Sequence, residues 1–373
     1  MARAPALQEI EALPEADRLG DFHHPRATKV LVGQDSAERV LVEAAASGRL
    51  HHGWLLTGRE GIGKATLAYR FARHLLAETG ERDAFGASLA VAEDTTAYRQ
   101  VLALSHPGLL VLRRPYDVKA KRFAASIPVD EVRRLRGFLA HSADAGAYRV
   151  VIVDSADELN PNAANALLKS LEEPPARTVF LLVSSEPGRL LPTIRSRCRT
   201  LALAPLGQED LRKAVVAAVA AAEVDPPGAQ DWDQLVSLAE GSVRQALVVT
   251  STGGLKLYAR VLALVSALPR VDWGAVHNLG DDFSGTAATE NFIGFFELLQ
   301  GLLARLIRAA ATEQGAVAEV KLAQRLIAPD RLAAWAEAWE AISRDTPEVM
   351  TLNLDRKAHI LLTAARLEAV AAR

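Results

Sequence analysis

Cysteine is nearly missing from this chain of 373 residues: Cys198 stands alone. One thiol cannot close an internal disulfide, and it falls short of the two or more thiolates of a cysteine-based zinc cage, so neither is expected. Long apolar runs are missing too. The longest, Ala214 to Ala222, is far below the ~20 residues that span a bilayer, although 50% of the residues are hydrophobic. The opening stretch has no apolar segment ahead of a small-residue cleavage site, and Glu9, Glu11, Glu15 and Asp17 interrupt it early. A cytoplasmic protein without membrane contact is the expectation. A dominant charge is also lacking: 43 Lys and Arg against 45 Asp and Glu leave −2, so any nucleic-acid contact has to be local.

What is present is patterned. Trp54-Thr57, Leu109-Leu112, Val150-Val153, Val179-Ser184 and Leu201-Leu203 read as short apolar strands. Between them Ser36-Ala46, Lys64-Ala77, Val129-Leu139 and Asn162-Glu172 read as helices, the last entered through Asn160-Pro161, a cap residue followed by proline. This alternation predicts an α/β half with a parallel sheet. After Pro205 the strand signal stops and Ala- and Leu-rich helices follow, with a second compositional seam between Leu268 and Gly285. Two or three compact units suit the length. From Arg113 to Arg136 eight basic residues face three acidic ones, which reads as a solvated rim or as a local phosphate track.

Gly58-Arg59-Glu60-Gly61-Ile62-Gly63-Lys64 follows an apolar strand and opens a helix, the arrangement of a phosphate-binding loop. Glycines let successive backbone N–H groups turn inward, the helix start adds its positive end, and Lys64 adds a point charge. The hydroxyl that holds Mg²⁺ is missing, because Ala65 stands there and Thr66 projects ~100° further round the helix. A second strand, Val150 to Val153, ends in Asp154, a carboxylate at a strand tip suited to a metal. Ser155 follows and cannot act as a general base near neutral pH. Asp157 and Glu158 read as solvated loop carboxylates, and His51-His52 as loop-tip residues rather than ligands.

In this order the loop Gly58-Thr66, the strand and turn Val150-Glu158, the run Asn165-Ala166-Leu167-Leu168-Lys169-Ser170-Leu171-Glu172-Glu173-Pro174-Pro175, and Arg195-Ser196-Arg197-Cys198 resemble the AAA+ clamp-loader subunits of bacterial DNA polymerase III. The likeness continues through Ala239-Leu247 and reaches Asn353-Lys357. It implies an α/β AAA+ RecA-like domain with a five-stranded parallel sheet over 1–205, a small helical lid domain over 206–268 and an all-α collar domain over 269–373. It also implies roles. Arg197 of Ser-Arg-Cys becomes an arginine finger given in trans to a neighbouring ATPase, a task suited to an always-ionised planar donor. Gly58, Gly61, Gly63, Lys64, Thr66 and Asp154 become nucleotide-site residues, Ser184 beside Ser185 a sensor, Arg244 a second sensor, and Val32-Gly33-Gln34 the adenine-side segment. The four-cysteine zinc module of many relatives is absent from Thr79 to Pro128, so no zinc is expected.

The implied function is a clamp-loader subunit that helps to load a sliding clamp onto primed DNA, with partners of the ATPase gamma/tau type and the delta type. It would hold ATP without hydrolysing it, with Mg²⁺ only alongside nucleotide, and would belong to a polymerase assembly without being a polymerase. An autonomous AAA+ ATPase motor or switch acting on DNA is the alternative, and Ser155 argues against it. A metabolic P-loop kinase leaves over 150 helical residues without a role. On the last helices Phe292, Phe295, Phe296, Leu299 and Leu303 share one face, which meets either partner helices or a private core.

Overall fold

The computed structural model describes residues 14–82, 88–120, 122–140, 147–251, 253–285 and 288–372. Packing divides the chain into two units, one running to Pro226 and including Ala239–Gln245, the other taking Pro227–Leu238 and everything from Ala246.

In the first unit five parallel strands form one sheet: β1 (Gly53–Thr57), β2 (Leu109–Leu112), β5 (Arg149–Val153), β6 (Thr178–Ser184) and β7 (Arg199–Ala202), in the order β2-β5-β6-β1-β7. The expected strands are all present, with ends differing by a residue or two. A small antiparallel hairpin, β3 (Tyr116–Asp117) with β4 (Arg122–Phe123), stands apart from the sheet. Every residue of β6 is buried, as the centre of a doubly covered parallel sheet requires. Helices α1 (Asp35–Ala46), α2 (Lys64–Leu76), α3 (Thr96–Leu102), α4 (Val129–Ala140), α5 (Pro161–Glu172), α6 (Pro192–Arg195) and α7 (Gln208–Ala221) surround it. Alternation along the strands sends Leu55, Val151, Val153, Phe180 and Leu182 into one core with Leu135 of α4, Leu167 and Leu171 of α5 and Ile194 of α6. Asn160 caps α5 by accepting from the Ala163 N–H, and Pro161 begins the helix, as Asn160-Pro161 predicts.

Two short helices follow, α8 (Trp232–Ala239) and α9 (Val243–Ser251). The second unit is helical among the described residues, with α10 (Gly254–Ala267), α11 (Trp273–Phe283), α12 (Thr289–Thr312), α13 (Val317–Leu326), α14 (Leu332–Thr351) and α15 (Arg356–Ala372). α12 packs against α10, α13 and α14, and α15 against α11 and α14. Here the stripe on α12 finds its answer. Phe292, Phe295, Phe296, Leu299 and Leu303 are each no more than 1% exposed, so they form a private core and do not wait for partner helices. Phe295 and Phe296 meet edge to face with centroids 5.4 Å apart, and the His359 ring lies 4.7 Å from Phe296. No single helix among the described residues is long and apolar enough to cross a membrane.

Phe296→Ala should therefore destabilise this helical unit by about 3–5 kcal/mol, read from the shift of its denaturant midpoint. A surface stripe would lose almost nothing.

Candidate functional site

β1 ends at Thr57 and the chain turns directly through the glycine loop into α2. Gly58 and Gly61 hold left-handed backbone, with φ of +136° and +76°. A Cβ on Gly58 would lie 2.6 Å from the Leu203 carbonyl oxygen, and one on Gly61 2.4 Å from both Arg244 Cβ and Ser242 Oγ. Only glycine fits either place. Gly63 caps the 13-residue α2, whose positive end therefore opens onto the loop. Lys64 is buried, and its Nζ donates to the Gly58 carbonyl at 2.7 Å, to the Arg59 carbonyl and to Ser185 Oγ at 3.0 Å. Burial brings its pKa down to about 8, against the pull of Glu60, Asp157 and Asp154.

The loop is also clasped from the stretch that ends this unit. Ser242 Oγ donates to the Glu60 carbonyl (2.8 Å), the Val243 N–H donates to the Gly61 carbonyl (2.9 Å), and Arg244 Nε pairs with Glu60 at 2.9 Å. Arg59 and Glu240 form a further ion pair. From the other side buried Gln34 donates to the carbonyls of Ile62 (3.1 Å) and Ala204 (2.8 Å). Arg244 and Gln34 thus stand at the loop. Thr66 is buried on α2. Ser184 is fully buried, with no hydrogen-bond partner for its Oγ among the described residues, and its neighbour Ser185 is the serine that reaches Lys64.

Asp154 lies at the tip of β5 and is buried. Its carboxyl interacts with that of Asp17, which reaches it from the segment ahead of α1. Asp17 in turn meets His24 Nε2 at 2.5 Å and Arg113 Nη1 at 2.8 Å, and Arg113 and Arg26 both hold Glu15. Burial and the charge of Asp17 push Asp154 up to about 8. Burial pushes Asp17 up as well, but the His24 bond and the nearby cations outweigh it and hold Asp17 ionised. Composition and spacing hid this cluster, because its members come from distant segments.

Ser155, next in line, takes φ +53°, an unusual left-handed value for a residue other than glycine. Asp157 and Glu158 are partnered rather than free in solvent: Asp157 accepts from the Ser185 N–H at 3.1 Å, and Glu158 pairs with Arg114 at 2.7 Å. The loop's glycines, the α2 terminus and Lys64 fit a phosphate. The metal donors do not fit: the first-turn hydroxyl is replaced by Ala65, and Asp154 is engaged by Asp17. Among the described residues no group of three or more His, Cys, Asp or Glu could hold a metal ion.

Arg197 lies elsewhere. It sits in the turn from α6 to β7, and the Arg197 carbonyl and Cys198 Sγ press on Gly53, where a Cβ would come within 3.1 and 3.2 Å of them. Gly53 is the first residue of β1 and the phosphate loop follows the last, so about 16 Å of strand, at ~3.3 Å per residue, separates them. His51, just before β1, bonds the Gly53 backbone and stacks on His52 with centroids 4.5 Å apart.

The basic segment divides. Arg113 is taken into the buried cluster, Arg114 pairs with Glu158, and Arg133 and Arg134 pair with Asp130 and Glu131 one helical turn away. Lys121 lies outside the described residues. A groove of about 280 Å³ between α4 and α5 is lined by Arg133, Arg136, Asn162, Asn165 and Lys169.

A glycine loop at the carboxyl end of a five-stranded parallel sheet, opening a helix that begins with a buried lysine, defines an α/β domain of P-loop type. Residues 33–207 match a family model described as DNA polymerase III, delta subunit. DNA polymerase III subunit delta' of Pseudomonas aeruginosa is 43% identical over 147 residues, covering 39% of this chain and 41% of that protein. The delta' subunit of Escherichia coli is 37% identical over 166 residues, covering 44% and 46%. The tau subunit of Escherichia coli is 29% identical over 228 residues, covering 61% and 33%. The match thus spans less than half of each of these relatives. The resemblance to clamp-loader subunits of DNA polymerase III holds, and the delta-prime subunits named above are the relatives with the higher identity.

The raised Asp154 pKa has a measurable consequence. Asp154 keeps its proton to about 8 in the folded chain but only to its ordinary 3.8 when unfolded, so this contribution to stability is lost as pH rises between those values. Asp154→Asn stays neutral throughout. Its melting temperature should fall less between pH 5 and 8 than that of the parent, and equal slopes would contradict the raised Asp154 pKa.

Proposed function

We propose that this chain works as a delta-prime-type subunit of a replicative clamp loader, giving Arg197 in trans to a neighbouring ATPase of the gamma/tau type while holding ATP without turning it over. The observation that carries this reading is the position of Arg197 at the amino end of the sheet. Its own phosphate loop is at the carboxyl end, out of reach, so a guanidinium there can assist only another molecule's phosphates. An ionised planar donor suits the charge that develops on a transferring phosphoryl group.

Retention without turnover is supported by three features: Ala65 in place of the metal hydroxyl, Ser155 in place of a base, and Asp154 occupied by Asp17. In this reading Gly58, Gly61, Gly63 and Lys64 hold the phosphates, Arg244 and Ser185 flank them, and Gln34 fixes the adenine-side segment. Residues 206–268 serve as lid and 269–373 as collar toward gamma/tau-type and delta-type partners in the cytoplasm. The groove between α4 and α5, with Arg136 and Lys169, suits the phosphates of primer-template DNA beside a sliding clamp.

Arg197→Ala should leave the chain folded and the reconstituted assembly intact, yet lower its DNA-stimulated ATP turnover about threefold or more. Unchanged turnover would remove the finger. Steady phosphate release by the isolated chain, abolished by Lys64→Ala, would favour an autonomous motor instead. Combined Arg136→Glu and Lys169→Glu should weaken binding to primer-template DNA about tenfold at low salt and flatten its salt dependence, measured by fluorescence anisotropy.

A further inference from the structure

Arg197 is held by its own chain. Its Nη2 pairs with Glu172 Oε1 at 2.7 Å, and its Nη1 donates to the Thr193 carbonyl at 2.9 Å. Two corners of the planar fork are therefore taken. Both anchors stand on fixed elements: Glu172 is the last residue of α5, Thr193 belongs to α6, and these helices pack on each other with Leu171 and Ile194 buried beside them.

Glu172 is oddly placed for a carboxylate. A helix carboxyl end carries partial negative charge, and a second acid, Glu173, follows at once. Glu172 and Glu173 thus put two carboxylates at the end of α5, one turn beyond Lys169, and the Arg197 guanidinium meets the first of them. The pair remains open to solvent, with 36% of the Arg197 side chain and 43% of the Glu172 side chain exposed. An incoming anion can therefore reach the same guanidinium.

We infer that Glu172 is a positioning residue that parks the finger, so that Arg197 engages a neighbour's polyphosphate only by exchanging one anion for another. This rests on the reading of Arg197 as a finger. The carboxylate competes with phosphate before ATP has bound, whereas in the engaged state the exchange is complete. Removing the carboxylate charge therefore strengthens ATP capture next door and leaves the chemical step alone. An exposed ion pair is weak, which sets the size of the effect at about two- to fivefold.

The test is steady-state ATP turnover of the reconstituted, DNA-stimulated assembly carrying Glu172→Gln, Glu172→Asp, Arg197→Ala or Glu172→Gln with Arg197→Ala. Glu172→Gln should lower the KM for ATP about two- to fivefold with kcat unchanged, a split that generic structural damage does not produce. Glu172→Asp, which keeps the charge, should return KM toward the parent value. In the Arg197→Ala background Glu172→Gln should change nothing. A parental KM in Glu172→Gln, or the same KM shift without Arg197, overturns the parking role while the finger stands. Full turnover in Arg197→Ala overturns the finger and the parking together.

Discussion

In a parallel sheet every strand delivers its carboxyl end to the same side, and this polarity governs where chemistry can lie in the first unit. β1 connects the two ends. At its carboxyl end the chain turns into the phosphate loop, where Lys64, Ser185 and Asp154 converge from β1, β6 and β5. At its amino end Gly53 receives the Ser196-Arg197-Cys198 turn. No side-chain rotation brings Arg197 over its own loop. The separation is a property of strand direction, so it persists in any arrangement of this unit with its neighbours.

The carboxyl-end site is satisfied from within. Lys64 spends its hydrogens on loop carbonyls and Ser185, Glu60 neutralises Arg244, Gln34 fastens the loop to the stretch after β7, and Asp17 presses on Asp154. A phosphate entering here exchanges bonds already made, and such exchanges change free energy little, about 1 kcal/mol per hydrogen bond. Asp154 is the exception. Freeing it for a metal would leave Asp17, His24 and Arg113 to rearrange in a buried place, where an unpaired charge is costly. The loop can accept an anion far more readily than the strand tip can accept a cation.

Much of this was readable along the chain, and the boundary of legibility has a physical cause. The strands and the glycine loop show themselves through local patterns, period-two burial and glycine spacing, which need no knowledge of distant segments. Asp17, His24 and Arg113 do not, since each looks like an ordinary surface charge until the fold brings it to Asp154. Arg113 belongs by sequence to the basic segment and leaves it in the fold. The one-residue distinction between Ser184 and Ser185 escapes a motif, because at a strand end neighbouring side chains point opposite ways and only one meets Lys64. The α12 stripe could be recognised as one face, but periodicity states that a face is apolar and is silent on what covers it.

The Ser-Arg-Cys turn joins the two themes of burial and reach. A donor that serves another molecule, as proposed for Arg197, has to combine a fixed backbone with a mobile tip, because a misplaced anchor forfeits orientation and a fully buried tip forfeits access. Here the anchor is supplied by Cys198, partly buried against the core, and by the close approach to Gly53 that no side chain obstructs. Burial pushes the Cys198 thiol up to about 11, so it remains protonated and packs as a small apolar group without acting as a nucleophile. One residue earlier the guanidinium reaches the surface. The lone cysteine is thus explained by packing, and the exposed guanidinium beside it owes its placement to that packing.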